Sequence, residues 1–95
     1  MKTIPSGMAV YKRTAEFTKD TVPAALLREH CITDDVWAKL VVLYGAITYR
    51  ILEPDVEETV LLQGQCGVIE PNVLHEVVPH EGVRFFIEFY RAKTL

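Results

Sequence analysis

At 95 residues, with 49% hydrophobic and 24% charged side chains, the chain has the size and composition of one soluble domain with a modest core. Ten basic against thirteen acidic residues leave a net charge of −3, which argues against the basic footprint of a nucleic-acid binder or a membrane-surface helix. No apolar stretch reaches bilayer-spanning length, and "MKTIPSGMAV" lacks the apolar region and cleavage site of a signal peptide. Cys31 and Cys66 stand apart with no CxxC pairing; two free thiols in a reducing compartment are the simplest account and a single disulfide the alternative, so a cytoplasmic location is expected.

In chain order, the first third is irregular. "TVPAALL" offers a proline-led start and a short apolar segment that runs into Arg28, Glu29 and His30. From Val36 onward the pattern changes to short strands with turn punctuation. "VWAKLVVL" and "AITYRIL" are rich in β-formers and meet at Tyr44-Gly45, where glycine suits a tight hairpin turn. "EPDVEE" reads as a charged loop, followed by strands in "TVLLQ", "GVIE", "LHEVV" and "VRFFIEFY", with turns at "PNV" and "PHEG". Strands at intervals of roughly 8–12 residues, with no strand–helix alternation, predict an all-β sandwich or barrel occupying residues 1–95 as one domain. A nucleotide-binding α/β fold is not expected, because no glycine-rich strand-to-helix turn occurs.

Three histidines are the first candidates for chemistry. His80, between proline and glycine in "PHEG", reads as a solvated turn residue. His75 opens a strand directly after the turn in "VIEPNVLHEV", a spacing similar to the second sequence motif of the cupins, whose histidine points into a barrel. Asn72 stands where that motif has glycine, and asparagine is the best replacement where φ must be positive. The first cupin motif is absent, since "YGAITYRILEPD" contains no histidine. Either the barrel is metal-free or ligands come from elsewhere, and His30 is then the obvious candidate.

The closing strand raises a separate question. Its alternate faces are Val83, Phe85, Ile87, Phe89 and Arg84, Phe86, Glu88, Tyr90. Glu88 therefore either pairs with Arg84 on a solvent face or turns inward beside His75. Two histidines and a carboxylate would suit a divalent ion such as Zn, Ni, Fe or Mn, and the ion would offset the cost of burying the acid.

Together, "YKRTAEFTKDTVPAALLREH", "VWAKLVVLYGAITYRI", "GVIEPNVLHEV" and "VRFFIEFY" resemble the small TehB/YeaR-like cupin family, related by name to tellurite resistance. The resemblance implies a cupin-type β-barrel (a jelly roll) with a metal pocket at His30, His75 and Glu88. It places Trp37, Lys39, Tyr49 and Phe86 around that pocket. It implies a metal-binding module that binds or senses a small molecule or oxyanion, with a homodimer as the expected assembly. A metal-dependent oxygenase or isomerase, and a metal-free dimeric binding module, are the alternatives. Methyltransferase activity of fused relatives does not carry over, because 95 residues leave no room for the α/β domain it needs.

Overall fold

The computed structural model describes residues 3–26 and 36–93. Within them the chain forms eight strands: β1 (Met8–Arg13), β2 (Phe17–Thr18), β3 (Trp37–Tyr44), β4 (Ala46–Ile51), β5 (Glu57–Leu62), β6 (Cys66–Ile69), β7 (His75–Pro79) and β8 (Arg84–Ala92). A single 3-10 turn at Ala24–Leu26 is the only helical element among the described residues, and none is long and apolar enough to cross a membrane. The all-β expectation holds.

The strands divide into two antiparallel sheets. Sheet A has the order β1-β8-β3-β6, with β2 also paired to β8, and sheet B has the order β5-β4-β7. Period-2 alternation explains which side chains meet between them. Ala38, Leu40, Val42, Phe85 and Ile87 come from sheet A. Ile47, Tyr49, Leu61 and Val77 come from sheet B and pack against them in one core.

One expected feature is different. The segments meeting at Gly45 do not form a hairpin. β3 pairs with β6 and β8, whereas β4 pairs with β5 and β7. The chain crosses from one sheet to the other at Gly45, as strands do at the corners of packed sheets. It crosses again between β5 and β6, between β6 and β7, and between β7 and β8, so β4–β5 is the one hairpin between consecutive paired strands among the described residues. A corner and a hairpin ask for the same turn chemistry, and only the pairing partners distinguish them.

Gly45 has φ +78, and a Cβ there would lie 3.0 Å from the Cα of Val83, which belongs to the β7–β8 corner. The two corners therefore abut with no room for a side chain between them. Gly64 has a similar φ of +82 but open space around it. Gly64→Ala should cost about 1 kcal/mol, from the left-handed backbone alone. Gly45→Ala should cost at least about 1 kcal/mol more, because one backbone must move away from the other. Urea denaturation of the two variants compares these costs directly.

Candidate functional site

The sequence candidates separate into two groups on opposite sides of sheet A. His75 and Tyr49 lie inside, between the sheets. Trp37, Lys39, Phe86 and Glu88 share the outer face of sheet A, as the β3–β8 register and strand alternation require. His30 lies outside the described residues.

The inner group begins at the turn before β7. Asn72 takes φ 60, the left-handed conformation expected for its position in the motif. The chain then enters β7 at His75, which is 2% exposed. His75 Nδ1 lies 3.0 Å from the carbonyl oxygen of Val73 and donates its proton to it. In the neutral ring that bond fixes the tautomer and puts the lone pair on Nε2, the arrangement seen in metal-binding and acceptor histidines. The imidazole packs edge-on against the Tyr49 ring, with centroids 5.8 Å apart. Beside it is a cavity of about 20 Å³, lined among the described residues by His75 and six apolar side chains: Leu26, Ala38, Ile69, Val77, Ile87 and Phe89. That is room for a single water or ion.

Tyr49 is 1% exposed, and its hydroxyl has no hydrogen-bond partner among the described residues. Burial pushes its phenol well above the ordinary tyrosine range, and the negative charges of Glu70 and Glu57 push it further. Those acids belong to an open hollow of about 350 Å³, where Glu53, Asp55, Glu57 and Glu70 surround Ile51, Pro54 and Val73. Ile51 pairs with His75 in the β4–β7 ladder, so the acidic hollow opens at the His75 end of the molecule.

The outer group answers the question of Glu88. Its carboxylate reaches neither His75 nor Arg84. It accepts hydrogen bonds from Arg13, through Nε at 3.0 Å and through a second guanidinium nitrogen, and from the Tyr90 hydroxyl at 3.3 Å. Arg84 instead pairs with Glu16 at 3.3 Å. The physical reason is parity. Ile87 and Phe89 line the His75 cavity, so Glu88 between them must point to the other side. There Arg13 stands directly opposite it in the β1–β8 ladder. The Arg13 guanidinium also lies over the Phe86 ring at 5.1 Å, and the Lys39 ammonium over Tyr90 at 5.5 Å. Lys39 holds its proton more tightly than an ordinary lysine, chiefly through its contact with Tyr90. Arg13 was not among the sequence candidates. Its one signal was the need of Glu88 for a cation, and Arg13 is 75 residues away.

Among the described residues no three His, Cys, Asp or Glu side chains converge to hold a metal ion. Among the described residues the interior offers an oriented imidazole, a phenol hydroxyl without a partner and a water-sized cavity, at the end of the sheet where the acidic hollow opens.

A small all-β domain with one histidine turned inward is the class that fold and site define. The family profile of the TehB-like domain matches residues 12–87, and the chain belongs to that family. Its fold is also that of two solved structures. A crystal structure of a protein from E. coli (strain K12) superposes with a TM-score of 0.90 at 23% identity, over 99% of this chain and all of that one (100%). TehB from Haemophilus influenzae superposes with a TM-score of 0.83 at 25% identity, over 92% of this chain and 32% of TehB. The chain thus spans about a third of TehB's length. No curated protein matches it in sequence.

Two stability predictions follow from these environments. Arg13→Ala leaves the Glu88 carboxylate, only 8% exposed, with Tyr90 as its remaining described partner, and should cost about 1–2 kcal/mol in urea denaturation. Tyr49→Phe removes a buried donor that has nothing to bond, so the variant should gain about 1 kcal/mol near neutral pH. The sign of the pH dependence is fixed by the raised phenol. The unfolded chain ionises this tyrosine near pH 10, as is ordinary, while the folded chain keeps it protonated. Its contribution is therefore complete below about pH 10 and is lost as pH rises beyond that point. Alkaline denaturation of Tyr49→Phe should lack this part of the loss.

Proposed function

We propose that this chain is a small metal-binding module of a tellurite-resistance-related family, with a cupin-type jelly roll as its architecture, and that it binds rather than transforms its ligand. The observation that carries this reading is the buried His75, anchored through Nδ1 on the Val73 carbonyl beside a cavity of about 20 Å³. The cavity admits an ion or a water but not an organic substrate, which favours binding over oxygenase or isomerase chemistry.

Charge supports a cation in that place. The hollow at this end of the sheet carries Glu53, Asp55, Glu57 and Glu70, and such a surface concentrates divalent cations and repels free anions. An oxyanion alone would find no positive group among the described cavity walls, which are apolar apart from His75. It would reach this end as a ligand of a metal that supplies the charge. His75 Nε2 would be one ligand, and His30, outside the described residues, the second. Glu88 is left out of the set, because its carboxylate faces Arg13 across the outer surface of sheet A. The metal, when bound, would supply a Lewis-acidic centre with open positions for a small oxygen ligand. The residues of the chain hold the imidazole in one tautomer and keep bulk water away from it.

Metal analysis of protein purified without chelators or metal-affinity resin tests the reading. About one divalent ion per chain is expected, lost in His75→Ala and in His30→Ala. Glu88→Gln should retain it. A metal-free protein whose melting temperature does not change on adding Zn, Ni, Mn or Fe would overturn the proposal. So would a metal content that follows Glu88 and ignores His75.

A further inference from the structure

A strand at the margin of a sheet carries a row of backbone groups that its own sheet does not use. On several margins of this molecule the row is blunted. β7 ends in Pro79, β1 is bent by the bulge between Val10 and Lys12, and β6 is four residues long. β5 is different. It is six residues long, EETVLL, with no proline, lysine or bulge, and among the described residues β4 is its single ladder partner.

The hydrogen bonds fix which residues of β5 face outward. The Leu62 N–H donates to the Gln65 side-chain oxygen at 2.8 Å, and the Leu62 carbonyl accepts from the Gln65 N–H at 2.9 Å. Ala46, opposite Leu62 in the ladder, accepts instead from the His80 N–H at 3.1 Å, on its β7 side. Leu62 therefore points away from β4, and by alternation so do Val60 and Glu58. Gln65 closes the edge at Leu62. At Val60 and Glu58 the outward N–H and C=O meet no partner among the described residues.

The side chains give this open edge two different ends. On the outer face of sheet B, Val60 and Leu62 are 47% and 53% exposed. Glu57 and Glu58 stand at the other end, and Glu57 is one wall of the acidic hollow with Glu53, Asp55 and Glu70. The hollow is lined by no lysine or arginine, and Glu53, Asp55 and Glu57 form no ion pair among the described residues.

We propose that β5 is a strand-addition site for an extended peptide segment of a partner protein. The segment runs antiparallel to β5, sets apolar residues against Val60 and Leu62, and brings basic residues at its C-terminal end to Glu58 and the acidic hollow. Each observation selects part of this occupant. The open groups of Val60 and Glu58 call for a main chain, because an extended backbone presents a donor and an acceptor together at strand spacing. The exposed valine and leucine call for apolar side chains at alternate positions. Glu53, Asp55 and Glu57 call for cations, and they oppose a second β5, which would bring carboxylates of its own. The contact is small, and main-chain bonds carry its affinity. It does not depend on the metal reading.

Fluorescence anisotropy with a labelled peptide, Val-Thr-Val-Thr-Lys-Arg, tests the site. Its second valine lies opposite Val60 and its lysine opposite Glu58. Saturable binding of about one peptide per chain is expected, weakening as salt is raised. N-methylation of the second valine removes a donor aimed at β5 and should weaken binding at least about tenfold. N-methylation of the threonine that follows, whose N–H points away from β5, should leave binding intact. Val60→Pro deletes the outward N–H without touching the β4 ladder, so the chain should stay folded and lose the peptide. Should that variant fail to fold, the two N-methylated peptides still decide the question. Glutamate in place of the peptide's lysine and arginine should abolish binding. A wild-type chain that does not bind the peptide overturns the proposal. So does binding that treats the two N-methylated peptides alike, survives in folded Val60→Pro or accepts the glutamate peptide. Self-association of the chain that Val60→Pro dissolves would put a second copy on the edge and overturn the peptide as its occupant.

Discussion

The close approach of two chain corners, Gly45 against Val83, fixes the relation between the sheets. The chain repeatedly passes from one layer to the other, and at this point two passages touch backbone to backbone. A side chain there would force one backbone away from the other at the point where the two corners meet. Val83 and Phe85 on one side and Ile47 on the other are buried at this end. The opposite end is where His75 enters β7, beside the cavity and the acidic rim.

Alternation within each strand then assigns every functional group to an inner or outer environment. Inside, polar atoms are few and each has consequences. His75 has its Nδ1 proton committed to a carbonyl, and the Tyr49 hydroxyl meets no acceptor among the described residues. Outside, charge is accommodated by long side chains that bury their stems and expose their heads. Glu88 is tolerated within an aromatic strand because that strand has two sides. The side it occupies carries Arg13. A carboxylate on the inner side would have needed a metal or a proton to remain there.

Much of this could be read in the sequence, and the parts that could not share one cause. Strand positions from Val36 to Tyr90 follow from β-formers and turn residues, which are local signals. The left-handed Asn72 and the strand-opening His75 follow from a short motif, also local. The corner at Gly45 was read as a hairpin because the distinction lies in pairing partners far along the chain. Local spacing points Glu88 to Arg84 or His75, whereas its partner, Arg13, belongs to the first strand. Period-2 alternation puts Glu88 on one face with Phe86 and Tyr90, but it does not say which face of a strand is the inner one. The same limit applied to Trp37 and Lys39, expected at the pocket and found on the outer face of sheet A beside Tyr90. His30 lies outside the described residues.

The position of β8 has a consequence for how the chain comes to be folded. It is the last strand in sequence, yet β1, β2 and β3 all pair with it. Sheet A therefore has no interior until its final strand has been synthesised. During translation β1 and β2 must wait for β8, their one described partner, and β3 can pair on one side alone, with β6, while β4, β5 and β7 can already assemble as a three-stranded unit. Folding would be expected to begin in the smaller sheet and to finish by inserting one long strand into the middle of the larger. A stall or cut before Arg84 would remove the strand that makes the others a sheet.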